Sequence, residues 1–200
     1  MEETKSFASA ARSSGSVIPL EKGKIPPQAV DLEEAVLGAM LIDKKGVDEV
    51  IDILQAEAFY KTSHQYIFES IFELFEASEP IDLLTVSNDL KKKGKLEVAG
   101  GNPYLVSLTQ KVASSAHIEF HARIILQKHI QRSLIKISSE IIENSYKDSI
   151  DVFDLLDEAE SKLYDVTQGN IKKSSETAQS LVIQAKRRIE DISKRQGLSG

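Results

Sequence analysis

The sequence predicts an all-α protein: a compact multi-helix globular subdomain, then a long antiparallel helical hairpin, then a separate amphipathic linker helix. Three observations carry this reading. Apolar residues recur three and four apart in one segment after another. Helix caps and glycine stops fall between those segments. No strand-rich β-α-β pattern interrupts them.

Two hundred residues suffice for one good-sized domain or two small ones. The chain is 41% hydrophobic and 28% charged, an ordinary globular balance. Only 6% of residues are aromatic and tryptophan is absent, so isoleucine, leucine, valine and alanine must fill the core. A net charge of −6 excludes a surface that grips nucleic acid all over, while leaving room for a local basic patch. The lack of cysteine excludes disulfides and thiolate metal sites and fits a reducing compartment. No apolar run approaches the roughly 18 residues of a membrane span, so no membrane partner is expected.

Residues 1–23, rich in Ser, Ala and Gly with early acids, read as a disordered leader; a transit-like peptide is the weaker reading. The globular subdomain is expected over 24–113. Pro26 and Pro27 force an extended start, and Asp31 then suits a helix cap, with Glu34 three residues on. Val36, Leu37, Met40 and Leu41 give that helix its apolar face. Gly46 separates it from a second one bearing Val47, Val50, Ile51 and Leu54. Thr62 and Gln65 have capping-box spacing, and Ile67, Phe68, Ile71, Phe72, Leu74 and Phe75 make the richest stripe, expected at the centre of the core.

The stretch "KKKGKLEVAGGNPYL", 91–105, imitates a phosphate cradle. A Walker A loop needs G-x-x-x-x-G-K-[ST] after a strand, yet here a helix starting near Asp82 or Thr85 precedes it and no Ser or Thr follows Gly94-Lys95. It reads instead as backbone punctuation. The lysines occupy a last helical turn and Gly94 a left-handed stop, while Asn102 and Pro103 open the next helix.

From about Ser114 the pattern lengthens into one helix, capped by Ser114 or Ser115, and the hairpin is expected over 114–168. Ile130, Leu134, Ile137 and Ile141 form a 4-3-4 seam, with Ile118, Ile125, Ile135 and Ile142 on a second face. Beyond a polar turn, Asp151 caps a helix whose Val152, Leu156, Ala159, Leu163 and Val166 repeat coiled-coil spacing. Two seam-bearing helices joined by a short link predict an antiparallel pair. Such a hairpin folds back as ordinary core or pairs with a second copy; the excess of apolar faces favours self-association through Ile130, Leu134, Ile137, Ile141, Val152, Leu156 and Leu163. Residues 169–176 are a polar linker. The linker helix, 177–200, carries Leu181, Val182, Ala185, Ile189 and Ile192 as a docking face, opposite Lys186, Arg187, Arg188, Lys194 and Arg195.

No catalytic constellation emerges, and no cofactor or metal is expected in this chain. His117 and His121 are four apart but lack the H-E-x-x-H order and a third ligand, so His64, His117, His121 and His129 read as solvated or interface side chains. The carboxylate pairs Glu33-Glu34 and Asp157-Glu158 read as solvated faces. The basic 186–195 stretch, with five positive and two negative residues, allows a competing reading as a free-standing helical DNA-binding regulator.

Three motifs in order carry a resemblance. "KIPPQAVDLEEAVLGAMLID" supplies Pro26, Pro27, Glu34, Val36, Leu37 and Gly38; "AFYKTSHQYIFESI" supplies Phe59, Tyr60, His64, Ile67 and Phe68. "PIDLLTVSNDLKKKGKLEVAGGNPYLVSL" follows a P-I-D-x-x-T pattern through to a G-G-x-x-Y-L ending. Together they resemble the N-terminal part of bacterial replicative DNA helicases, the DnaB family, over about residues 24–200. One departure is "ASSAH" (113–117), where many members have P-S-A-A-N.

The resemblance implies a helicase collar whose hairpins pair, with dimers stacking as a trimer of dimers. It implies recruitment of the primase helicase-binding domain and of a helicase loader, and a linker helix docked on a neighbouring motor domain. That RecA-like motor, with ATP, Mg²⁺ and most DNA contact, would follow "GLSG"; its Walker A loop is not in this sequence. A cytoplasmic replication-fork location and ATP-dependent 5′-to-3′ unwinding by the whole protein are implied with it.

Overall fold

Prolines 26 and 27 keep the chain out of helix until α1 (Val30–Ile42) begins. In the computed structural model, which describes residues 24–111 and 117–168, α1 is followed by α2 (Lys44–Val50), α3 (Thr62–Glu76), α4 (Leu83–Lys92), α5 (Gly101–Gln110) and α6 (Ile118–Ser145). A single 3-10 turn, Ala56–Ala58, precedes α3, and a last helix, α7, covers 152–168. All regular structure among the described residues is helical, as the sequence predicts.

The centre of the head is α1, not α3. It packs against α2, α3, α4, α5 and α6, and it is buried on nearly every side, with Val36, Leu37, Ala39, Met40 and Leu41 closed from solvent. In α3 the inward residues are Ile67, Phe68, Ile71 and Leu74, while Phe72 and Phe75 look outward. Phe68 meets Phe59 at 5.1 Å between ring centroids in a tilted arrangement. Each such fully buried side chain contributes about 1.5–3 kcal/mol of apolar transfer.

Local chemistry sets the helix ends, not always as expected. Asp82 accepts from the Leu84 and Thr85 amides at 2.8 and 2.9 Å, and the Thr85 hydroxyl accepts from the Asp82 amide at 2.9 Å, a complete capping box. Gly94, at φ +67°, ends α4 as read from the sequence, with the Lys95 amide donating to Leu90 O and the Gly94 amide to Lys91 O. Asp31 does not cap α1; Ala29 holds that position and Asp31 lies in the first turn. Thr62 and Gln65 form no capping box, because Gln65 Nε2 donates to Phe59 O at 2.8 Å instead. Asn102 is already inside α5: Gly100, at φ +103°, takes the cap position, and the Asn102 side chain accepts from Ser87 Oγ.

Gly46 is not a separator. Asp43 caps α2 by accepting from the Lys45 amide, so the helix starts before Gly46 and carries it inward. A Cβ there would lie 2.9 Å from Ala39 O, so the glycine is what lets α2 approach the backbone of α1.

The N-terminal half of α6 belongs to the head, with Ile118, Ala122 and Ile125 buried against α1 and α2. Its other half runs beside α7. Asp151 caps α7 by accepting from the Phe153 amide at 2.8 Å, and Lys162 of α7 reaches Glu140 of α6 at 2.8 Å. The two helices therefore run antiparallel about the turn at 146–151. The expected caps Ser114 and Ser115, the linker and the linker helix lie outside the described residues.

Gly46→Ala is expected to destabilise the chain by about 1–3 kcal/mol, the usual range for overpacking a tight contact. Urea denaturation followed by circular dichroism measures it; an unchanged midpoint would mean that α2 is free to shift away from Ala39.

Candidate interaction surface and the network beneath it

The surface is held in place by polar chemistry inside the head. Glu33 and Glu34, adjacent on α1, are both buried, which corrects the reading of this pair as a solvated face. Glu33 Oε1 accepts from the Tyr60 amide at 2.7 Å, and its Oε2 lies 2.7 Å from His64 Nδ1. A carboxylate only accepts, so Nδ1 carries the hydrogen of that bond. His64 Nε2 lies 2.6 Å from the Tyr104 hydroxyl, and the two rings stack at 8°. Tyr104 also donates towards Glu34 Oε1 at 3.2 Å, and Lys61 and Lys111 complete the shell of Glu34.

His64 is therefore a fully buried structural histidine, not a solvated one. A carboxylate–histidine–tyrosine row resembles a proton relay, but both ring nitrogens are occupied and the ring is closed from solvent. No position for a reacting group remains beside it. Among the described residues no group of His, Asp and Glu has metal-binding geometry. His117 is exposed, and His129 lies on α6 against the 3-10 turn, where burial and the Arg132 charge push its pKa down.

Burial opposes ionisation of Glu34, but hydrogen bonds from Lys111, Lys61 and Tyr104 outweigh it and hold the carboxyl below the ordinary carboxylate range. Burial, then the negative charge of Glu34, pushes the Tyr104 hydroxyl well above the usual tyrosine value.

Arg132, on α6, fixes the root of the hairpin. Its guanidinium donates to Pro27 O at 2.9 Å and Ala58 O at 2.6 Å, and it lies over the Tyr60 ring at 5.6 Å. The same Tyr60 gives its amide to Glu33, so the buried network and the hairpin root share a residue. Sequence reasoning missed Arg132 altogether: an arginine in a polar stretch of a long helix carries no local sign of its carbonyl partners.

Beyond that root the apolar side chains are uncovered. Val152 and Leu156 are each 60% exposed, Phe153 72% and Tyr164 59%, with Leu163 at 43% and Leu134 at 41%. Ile130 and Ile141 are half-buried, and Ile137 is buried at 8%. The candidate seam is thus divided. Ile137 is buried within the folded chain, while Leu134, Val152, Leu156 and Leu163 are exposed. Leu181, Val182, Ala185, Ile189 and Ile192 lie outside the described residues.

The network gives a pH dependence with a defined sign. Tyr104 is held protonated in the fold, so its contribution is complete below about pH 10 and is lost as pH rises towards its higher native pKa. Glu34 contributes above the ordinary carboxylate range and loses that contribution as pH falls through its lowered native pKa. Denaturation midpoints against pH should flatten on the alkaline side in Tyr104→Phe and on the acid side in Glu34→Gln; unchanged slopes would remove the network from the stability of the head.

Residues 25–127 match the family of DnaB-like helicase N terminal domains. Replicative DNA helicase DnaB of Rhodothermus marinus is 41% identical over 177 residues, covering 88% of this chain and 19% of that protein. Replicative DNA helicase DnaB of Geobacillus stearothermophilus is 36% identical over 176 residues, 87% of this chain and 38% of that protein. The chain thus spans between about a fifth and two fifths of the length of these relatives. The crystal structure of the N-terminal domain of DnaB helicase from Mycobacterium tuberculosis superposes with a TM-score of 0.67 at 32% identity, covering 70% of this chain and 99% of that one. A DnaB-like replicative helicase, described with its interactions with primase, gives 0.57 at 27% identity over 69% of this chain and 31% of that one. With its family match running from the prolines before α1 into α6, and a solved domain of that kind covered almost end to end, the chain belongs to the DnaB-like helicase N-terminal domain family.

Proposed function

We propose that this chain is the collar of a hexameric replicative helicase, joining subunits through the open face of its hairpin. The observation that carries the reading is the run of large apolar side chains on α6 and α7, Leu134, Val152, Phe153, Leu156, Leu163 and Tyr164, left uncovered within one copy. Exposed apolar area of this kind marks an interface, and a two-fold pairing of antiparallel hairpins buries the same patch on both copies. Family membership leaves the free-standing DNA-binding regulator without an observation in its favour.

In this reading residues 24–113 form the head, 114–168 the pairing hairpin, 169–176 a linker and 177–200 a helix that docks on a neighbouring motor domain. The self-association residues are Ile130, Leu134, Ile141, Val152, Leu156 and Leu163, with Ile137 holding the hairpin's interior. Paired collars stack as a trimer of dimers and offer a composite surface to the primase helicase-binding domain and to a helicase loader. The whole protein unwinds DNA 5′ to 3′ in the bacterial cytoplasm at the replication fork, with ATP and Mg²⁺ bound in a motor domain that makes most of the DNA contact.

Light scattering of the chain should give a dimer whose dissociation constant rises by about 2 kcal/mol, roughly thirtyfold, in Leu156→Asp, since a charge would enter the centre of the patch. The melting temperature of that variant should stay near the parent's, because Leu156 is largely exposed in one copy. A parent chain that remains monomeric at high concentration would remove the pairing hypothesis.

A further inference from the structure

Beside the hairpin root lies a cleft of about 620 Å³ between the 3-10 turn and α3. Its floor is apolar, with Ile51 and Leu54 buried and Phe72 exposed by 37%. Its rim is acidic, formed by Asp52, Glu57 and Glu69. Glu69 is paired with Lys95 at 2.8 Å, whereas Asp52 and Glu57 make no ion pair among the described residues. An apolar floor inside a rim with two acidic side chains outside any ion pair suits an amphipathic segment carrying aliphatic anchors and basic flanks.

Outside the described residues, the chain carries a segment of that composition. Residues 181–195 set Leu181, Val182, Ala185, Ile189 and Ile192 at helical spacing, and positions 186–195 hold five basic residues against two acidic. It also starts close by. The Lys162–Glu140 pair fixes the register of α7 on α6, and six further residues, about 9 Å of helix, bring position 168 level with Leu134, less than a turn from Arg132. Arg132 itself holds Ala58 O, next in sequence to Glu57 on the cleft's rim. The eight residues 169–176 add a tether that reaches at most about 28 Å when extended.

We propose that the cleft is a seat for the basic amphipathic segment 181–195 of the same chain, with Ile189 and Ile192 on the Phe72 floor and Lys186, Arg187 and Arg188 facing Asp52 and Glu57. This goes beyond the docking of the linker helix on a motor domain and sets a condition on it. One apolar face cannot occupy both places, so release from the cleft precedes capture by a neighbouring subunit. The seat is independent of hairpin pairing.

A chain without native cysteine permits a clean test. Glu57→Cys and Ser193→Cys are introduced together and treated with a short bis-maleimide, and products are sized on a denaturing gel. An intramolecular product should form, at least about fivefold faster than when Ile189→Asp is added, since that variant keeps the tether and removes the anchor. Phe72→Asp should give the same loss from the other side, and Ile189→Asp guards against a folding effect because it lies outside the head. Equal rates with and without these substitutions, or products linking two chains only, would overturn the proposal. Leu156→Asp in the same background should leave the intramolecular rate unchanged, so failure of the seat and failure of pairing are read separately.

Discussion

Two adjacent carboxylates on the most buried helix form the constraint on which the head depends. Removing a carboxylate from water costs several kcal/mol unless charge and hydrogen bonds are returned to it. Glu33 and Glu34 receive theirs from four places at once: the Tyr60 amide and Lys61 before α3, His64 within α3, Tyr104 in α5, and Lys111 after it. Apolar contacts between α1 and its neighbours are strong but non-directional. Hydrogen bonds of 2.6–2.7 Å tolerate far less sliding, so the network selects one register among the many that the aliphatic core would accept.

The same logic reaches the hairpin through Tyr60. Its amide is spoken for by Glu33, and its ring lies under Arg132, whose guanidinium takes the carbonyls of Pro27 and Ala58. A long helix attached only by Ile118, Ala122 and Ile125 could rock on that apolar contact. Two charge-assisted hydrogen bonds one to two turns further on give it a second point of attachment. The open apolar face of the hairpin is therefore presented by a stem whose direction is fixed in the head.

Much of this was legible, because the motifs that carry the family resemblance are structural devices. The P-I-D-x-x-T run is the capping box of Asp82 and Thr85, and the glycine after the lysines is the left-handed stop of α4. Glu34, His64 and Tyr104 come from three separate motifs and meet at one point. What the sequence hid is equally specific. Spacing places Glu33 and Glu34 on a helix, but which faces of α1 are covered depends on five partners, four of them distant along the chain. Gly46 looks like punctuation until the carbonyl of Ala39 is found against it. The caps at Asp31 and Asn102 failed because a neighbouring backbone conformation claimed the position first, at Ala29 and at Gly100.

Periodicity also made the seam look uniform, and folding makes it unequal. A 4-3-4 repeat assigns Ile130, Leu134, Ile137 and Ile141 to one stripe, but it cannot tell which members α7 and the head will cover. The antiparallel return, registered by Lys162 on Glu140, goes with closure around Ile137 and leaves Leu134 exposed on α6 and Val152, Leu156 and Leu163 exposed on α7. The hairpin therefore divides its apolar residues between those buried within the fold and those left exposed. A protein that needed only the first would gain by replacing the outer set with polar residues, since an uncovered Val152 or Leu156 adds nothing to a monomer's stability and favours aggregation. Under the proposed pairing, a second copy of the same hairpin would cover them, since a two-fold contact buries the same patch on both copies.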